Sequence, residues 1–127
     1  MKTLILHHHI FKNAGSTIDG ILQKSLGPES AIMFDKVIKP GDKHHLSAEE
    51  VTEQLEKHPK VLSFSSHQMH CQQYDLPGYN QIDLAMVRHP LLRIRSIHSF
   101  YQASPELKTP LALAAQEETF PDFVRRL

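Results

Sequence analysis

Apolar positions along the 127-residue chain follow two rhythms that alternate from one end to the other. Leu4, Ile5 and Leu6 form the apolar centre of a run from Thr3 to His9 and predict a first strand. Ile18, Ile21, Leu22 and Leu26 then recur at helical spacing, and Gly27-Pro28 stops the helix. Ala31 to Phe34, with Val37 and Ile38, predict a second strand or an extended pair before the turn Lys39-Pro40-Gly41-Asp42. Ser47 and Glu50 make a capping box for a helix to about Lys57, with Val51 and Leu55 facing inward and Pro59 ending it. Lys60 to Phe64 predict a third strand that opens into a polar loop. Gln81 to Val87 predict a fourth, whose nearly continuous Ile82, Leu84, Ala85, Met86 and Val87 suit a strand covered on both faces. Pro90 opens a helix carrying Leu91, Ile94, Ile97 and Tyr101 as a stripe. Residues 102–118 suggest a loop and a short helix, and Thr119 caps another. Alternating strands and helices imply an α/β fold with a parallel sheet. No repeat or linker breaks the pattern. The expectation is one domain over residues 1–127, incomplete at its C-terminal end because the last helix stops in mid-stride.

Composition narrows this picture. A hydrophobic content of 40% is enough for a real core, and 14 basic residues balance 14 acidic ones. No global field therefore points to nucleic acid or to a membrane surface. The single Cys71 excludes an internal disulfide and suits a reducing compartment. No apolar run reaches the roughly 18 residues that a membrane span requires. Met1 leads almost directly into the first strand without a signal-peptide pattern, and the expected location is cytoplasmic.

Two segments carry candidate chemistry. The turn Lys12-Asn13-Ala14-Gly15-Ser16-Thr17 joins the first strand to the first helix. Backbone N–H groups converge at such a junction, the helix dipole favours negative charge, and small residues allow a phosphate close to the backbone. Lys12 adds a cation, and Ser16 and Thr17 add hydroxyl donors. The order is not that of a Walker A loop, in which the lysine follows the last glycine. The second segment, Val87 to Ser96, puts Arg88 at the carboxyl end of the fourth strand, where open α/β sheets bind ligands. With a helix starting at Pro90, Arg93 and Ser96 are three apart and share a face. An arginine at a strand end and a serine in the next helix can grip one phosphate from two sides.

Together these segments resemble the sulfotransferases that use 3′-phosphoadenosine 5′-phosphosulfate (PAPS), in particular the carbohydrate branch similar to the heparan sulfate enzymes. Their 5′-phosphosulfate loop often reads H-I-P-K-T-G-G-T-S. Here His9 to Thr17 departs from it by Phe11 for Pro, Asn13 for Thr and Ala14 for the first Gly, with the final hydroxyl pair in the order Ser16-Thr17. Their 3′-phosphate motif typically reads R-D-P-x-x-R-x-x-S-x-Y. Arg88, Pro90, Arg93 and Ser96 match it, while His89 replaces Asp and His98 replaces Tyr. The resemblance covers about Leu4 to Tyr101. It implies a P-loop NTPase-like three-layer fold with a central parallel sheet, PAPS as sulfuryl donor, no metal, and a hydroxyl acceptor on a saccharide. It further implies that Lys12 acts on the leaving phosphate, that Asn13, Ala14, Gly15, Ser16 and Thr17 cradle it, and that Arg88 and Ser96 hold the 3′-phosphate.

Transfer to a hydroxyl also needs a base. His67 leaves the third strand on the crevice side, and some members of the family carry a catalytic histidine after a glycine here, where this chain has Ser66. His67, His70 and Cys71 are zinc-type donors. A structural site takes four ligands, however, and the spacing is not a standard one, so no metal is expected. His7, His8 and His9 alternate faces along a strand and cannot all converge on one ion. His44 and His45 precede a helix cap and are expected at the surface. The alternatives to a sulfotransferase are a nucleotide-binding module without catalytic activity and a P-loop kinase or NTPase. Against the latter stand the loop order and the lack of an evident Mg²⁺ carboxylate.

Overall fold

The computed structural model describes residues 1–127, which form two compact units, Met1–Val87 and Arg88–Leu127. The first unit holds β1 (Lys2–His8), α1 (Gly15–Leu26), β2 (Ala31–Met33), α2 (Ala48–Lys57), β3 (Ser63–Ser66) and β4 (Tyr79–Ala85). All four strands are parallel, in the order β2-β3-β1-β4. The fold is therefore α/β with a central parallel sheet, as the alternating pattern requires. The chain moves two places across the sheet from β1 to β2, then one place back from β2 to β3. Crossovers of one hand running in opposite directions put their helices on opposite faces.

The side chains agree. Leu4 and Leu6 of β1 and Phe64 of β3 point to one face and are fully buried with Val51 and Leu55 of α2 and with Leu46, Val61, Met69, Tyr74 and Leu76. His7 and Ser65, paired in register between Leu6↔Phe64 and His8↔Ser66, point to the other face, where Asp19 of α1 meets them. The Ser47–Glu50 capping box forms in full and starts α2. Gly27, at φ 88°, ends α1 where the sequence placed a stop.

Three expectations are corrected. Val37 and Ile38 form no strand, and Val37 is exposed, because β2 is only three residues long and the chain leaves the sheet at Phe34. The third strand lies at Ser63–Ser66, later than Lys60 to Phe64, since Val61 is drawn into the core before the ladder begins. The fourth strand is not covered on both faces. It lies at the sheet edge, and Ile82 is 50% exposed there. A continuous apolar run marks a doubly covered strand only when neighbours exist to cover it.

The second unit holds α3 (Pro90–Gln102), α4 (Pro110–Glu117) and α5 (Phe120–Arg126). Each has proline in its first turn, and the hydroxyls of Thr109 and Thr119 cap α4 and α5. Ala114, Ala115 and Phe123 are buried against Ile94, Ile97 and Tyr101 of the α3 stripe, whereas Leu91 is exposed. No helix of the chain is long and apolar enough to cross a membrane.

Candidate functional site

In the order β2-β3-β1-β4, the chain leaves β1 toward one edge of the sheet and leaves β3 toward the other. The carboxyl ends of β1 and β3 therefore flank the switch point, the place where open α/β sheets bind ligands. Three segments emerge there together. The His9 amide donates to the Ser66 carbonyl at 3.1 Å, and the Phe34 amide to the Ser65 carbonyl at 3.0 Å. Consequently His9, Asp35 and His67 meet at one end of the sheet.

The β1–α1 turn is built around two left-handed residues, Lys12 (φ 61°) and Ala14 (φ 63°), with Asn13 between them at negative φ. Left-handed residues at a strand-to-helix junction are a feature of anion-binding turns. The Thr17 and Ile18 amides donate to the Ala14 carbonyl at 3.1 and 3.2 Å. Gly15 and Ser16 open α1, where N–H groups have no intrahelical carbonyl to bond. Ser16 and Thr17 are exposed, while Asn13 is buried and its side-chain oxygen has no partner. The Asn13 amide donates to the Ile10 carbonyl at 3.1 Å, so the N–H groups left for an anion are those at the start of α1. Gly15 is required by close approach rather than by its torsion angles. A methyl group placed on it would fall 2.6 Å from Cγ of His9 and closer still to the outer ring atoms.

Below the turn lie imidazoles and carboxylates. His67 Nδ1 lies 2.8 Å from Asp35 Oδ2, and the His67 amide and the Ser66 hydroxyl donate to Asp35 Oδ1 at 2.9 and 2.8 Å. Burial works to raise the Asp35 carboxyl, but the His67 side chain, the Ser66 hydroxyl and the His67 amide outweigh it and hold the group below the ordinary aspartate value. The His67 ring stacks on His9 with centroids 3.8 Å apart. Burial, and next the neighbouring His67, push His9 below the ordinary histidine value, although Asp19 opposes this. On the same face, Asp19 Oδ1 lies 2.7 Å from His7 Nδ1, and Asp19 Oδ2 lies 2.8 Å from His9 Nδ1. His8 points to the opposite face and bonds Asp83 at 2.7 Å. The three histidines thus alternate as expected, yet two of them converge.

The structure brings Lys12, Asn13, Ala14, Gly15, Ser16, Thr17 and His67 into the first unit. Arg88 and Ser96 belong to the second, Arg88 exposed before α3 and Ser96 half-buried within it. His98 is a core residue of that unit. Its Nε2 bonds the Glu118 carbonyl at 2.9 Å, and its ring packs on Phe120 and Phe123. His70 and Cys71 are exposed in left-handed conformations, and the donors that gather are instead His7, His9 and Asp19. His44 is exposed, whereas His45 is half-buried and lines an open cleft of about 650 Å³ of mixed charge, with Lys36, Lys39, Lys43, Asp42 and Glu50.

Sequence reasoning passed over two residues. Asp35 directly follows the β2 edge of the sheet, at the carboxyl end where ligands bind. Asp19 sits on the inward stripe of α1 between Ile18 and Leu22, and a lone carboxylate inside an apolar stripe is itself a signal.

The chain is 29% identical to an uncharacterized protein of Archaeoglobus fulgidus over 129 aligned residues, covering 97% of the chain and 48% of that protein. It therefore spans about half the length of the curated relative it matches. No family model matches the chain, and no solved structure matches it.

Proposed function

We propose that this chain is the donor-binding part of a PAPS-dependent sulfotransferase with a P-loop NTPase-like core, acting on a hydroxyl of a saccharide. The observation that carries this reading is the turn from Lys12 to Thr17. It is a turn with two left-handed residues that leads into a helix N-terminus at the switch point of a parallel sheet, with a histidine–carboxylate pair at the same end. Lys12 neutralises the phosphate that leaves as the sulfur–oxygen bond breaks, and the N–H groups of Gly15 and Ser16 with the hydroxyls of Ser16 and Thr17 hold its oxygens. The Asp35 carboxylate accepts from His67 Nδ1–H and so fixes the tautomer whose Nε2 lone pair takes the acceptor's proton as the new oxygen–sulfur bond forms. The match of Arg88 and Ser96 to the 3′-phosphate motif supports a nucleotide bearing that group.

Calorimetry with 3′-phosphoadenosine 5′-phosphate, AMP and ATP tests the donor site. Charge-assisted hydrogen bonds contribute about 1.5–3 kcal/mol each, so the bisphosphate should bind at least about tenfold more tightly than AMP, and Arg88→Ala should remove the difference. Equal affinity for the two would defeat the reading. Transfer of labelled sulfate from PAPS should then be lost in His67→Ala with bisphosphate affinity retained. The alternative is a nucleotide-binding module without transfer activity. It forecasts the same binding and no transfer.

A further inference from the structure

We propose that His7, His9 and Asp19 form a binding site for a divalent transition-metal ion of the zinc class. The inference stands independently of sulfuryl transfer. His7 is fully buried, His9 is 7% exposed, and the Asp19 side chain is 12% exposed. Their donor atoms all lie within 4.8 Å of one another. The convergence follows from the fold. His7 and His9 are two apart in the stretch that forms and extends β1, so both face α1, and Asp19 is one helical turn past the start of that helix.

Protein hydrogen bonds leave the cluster unsatisfied. His7 Nδ1 has partners in Asp19 Oδ1 and in Ser65 Oγ, at 2.7 and 2.9 Å. His9 Nδ1 and Asp19 Oδ2 lie 2.8 Å apart as an ion pair without meeting hydrogen-bond geometry, and His7 Nε2 has no hydrogen-bond partner. Buried polar atoms without a hydrogen bond call for a partner. A cation satisfies His9 Nδ1 and Asp19 Oδ2 by lone-pair donation. Zinc ligands at about 2.0–2.2 Å from the ion stand roughly 3.3 Å from one another in a tetrahedron. The two histidine–carboxylate spacings of 2.7 and 2.8 Å would open by about half an ångström, and the widest donor pair, within 4.8 Å, would close toward the same value. Two imidazoles and one carboxylate select zinc, cobalt or nickel over magnesium and calcium, which prefer oxygen. The Ser65 hydroxyl or a water can complete the set. A cavity of about 10 Å³ lined by Asp19, Leu22, Gln23, Ser63 and Ser65 has room for about one water beside the carboxylate.

Such an ion would tie His9, before the anion-binding turn, to Asp19, in the helix after it. It would thus clamp the two ends of the turn and hold the His9 ring against Gly15. The test uses the untagged chain stripped with a chelator, with Co²⁺ and Zn²⁺ as probes. Expected are one equivalent of Co²⁺ with the visible absorption of a low-coordinate site, its displacement by Zn²⁺, and a higher melting temperature with Zn²⁺ but not with Mg²⁺. Asp19→Asn and His9→Gln should each weaken binding at least tenfold, while His44→Ala, His70→Ala and Cys71→Ser should not. Imidazole ¹⁵N shifts of the unaltered chain on adding Zn²⁺ answer the same question if the variants fail to fold, with His7 and His9 expected to move. The proposal is overturned by failure to bind one equivalent, by undiminished affinity in Asp19→Asn, or by shifts confined to exposed histidines.

Discussion

Ala14 occupies a left-handed conformation with φ 63° at the N-cap of α1, where its side chain makes no capping bond. A left-handed conformation costs a residue with a Cβ about 1–2 kcal/mol, partly offset because alanine restricts the unfolded chain more than glycine does. Ala14→Gly should therefore stabilise the protein by roughly 0.5–1 kcal/mol, read as a higher urea midpoint at unchanged slope. Ala14 is also where the chain departs from the glycine of the motif it resembles, so the sequence marked the position before the torsion angle explained it. Asp35 yields the pH prediction. Its folded-state value is lowered, so its stabilising contribution is fully present above the unfolded-state value and is lost as pH falls through the lower, folded-state one. Asp35→Asn should flatten the acid limb of stability against pH and leave the neutral region comparatively level. An unchanged acid limb would show that the bonds from His67 and Ser66 carry no stability. The positions of Lys12, Gly15 and His67 next to the ends of β1 and β3 were legible because motif order and strand ends announce them. Asp19 and Asp35 were not, because a carboxylate's partners come from strands and helices distant in sequence.

At the scale of elements, the helices were the more legible. α2 shows why: its start is written locally, in Ser47 and Glu50, and its inward face in Val51 and Leu55 four residues apart. Ser47→Ala should cost about 1 kcal/mol in chemical denaturation, and Glu50→Gln less, since an amide oxygen can still accept from the Ser47 amide. Glu50 also holds Lys36 at 2.8 Å, so the box ties α2 to the segment that follows Asp35. Strand limits were less legible, because a ladder is set by partners. β3 begins at Ser63 where it meets Ile5 of β1 and Ala31 of β2, and its polar Ser63, Ser65 and Ser66 gave no apolar rhythm to follow. Two of those serines bond in the interior: the Ser65 hydroxyl lies 2.9 Å from His7 Nδ1, and the Ser66 hydroxyl donates to Asp35 and accepts from the Gln68 amide. Polar residues in a buried strand mark a site more than a surface.

For the molecule as a whole, the sequence showed one continuous pattern, yet two units close on separate cores. No proline-, glycine- or serine-rich linker marks Val87 and Arg88, so nothing in composition betrayed the division. Strand order was likewise invisible to periodicity. The place of β1 between β3 and β4 creates the switch point, and only pairing reveals it. The same order leaves β4 without a sheet neighbour on its outer side, seven residues long and with Ile82 half exposed. In a crowded solution such an edge is a template, since its unpaired amides and carbonyls offer another chain an open ladder to extend. The chain should accordingly show a concentration threshold in light scattering above which oligomers grow by strand addition, with a rising thioflavin signal. Ile82→Lys should move that threshold upward without lowering the thermal midpoint, and scattering equal to the parent's would show that the edge is not where self-association begins.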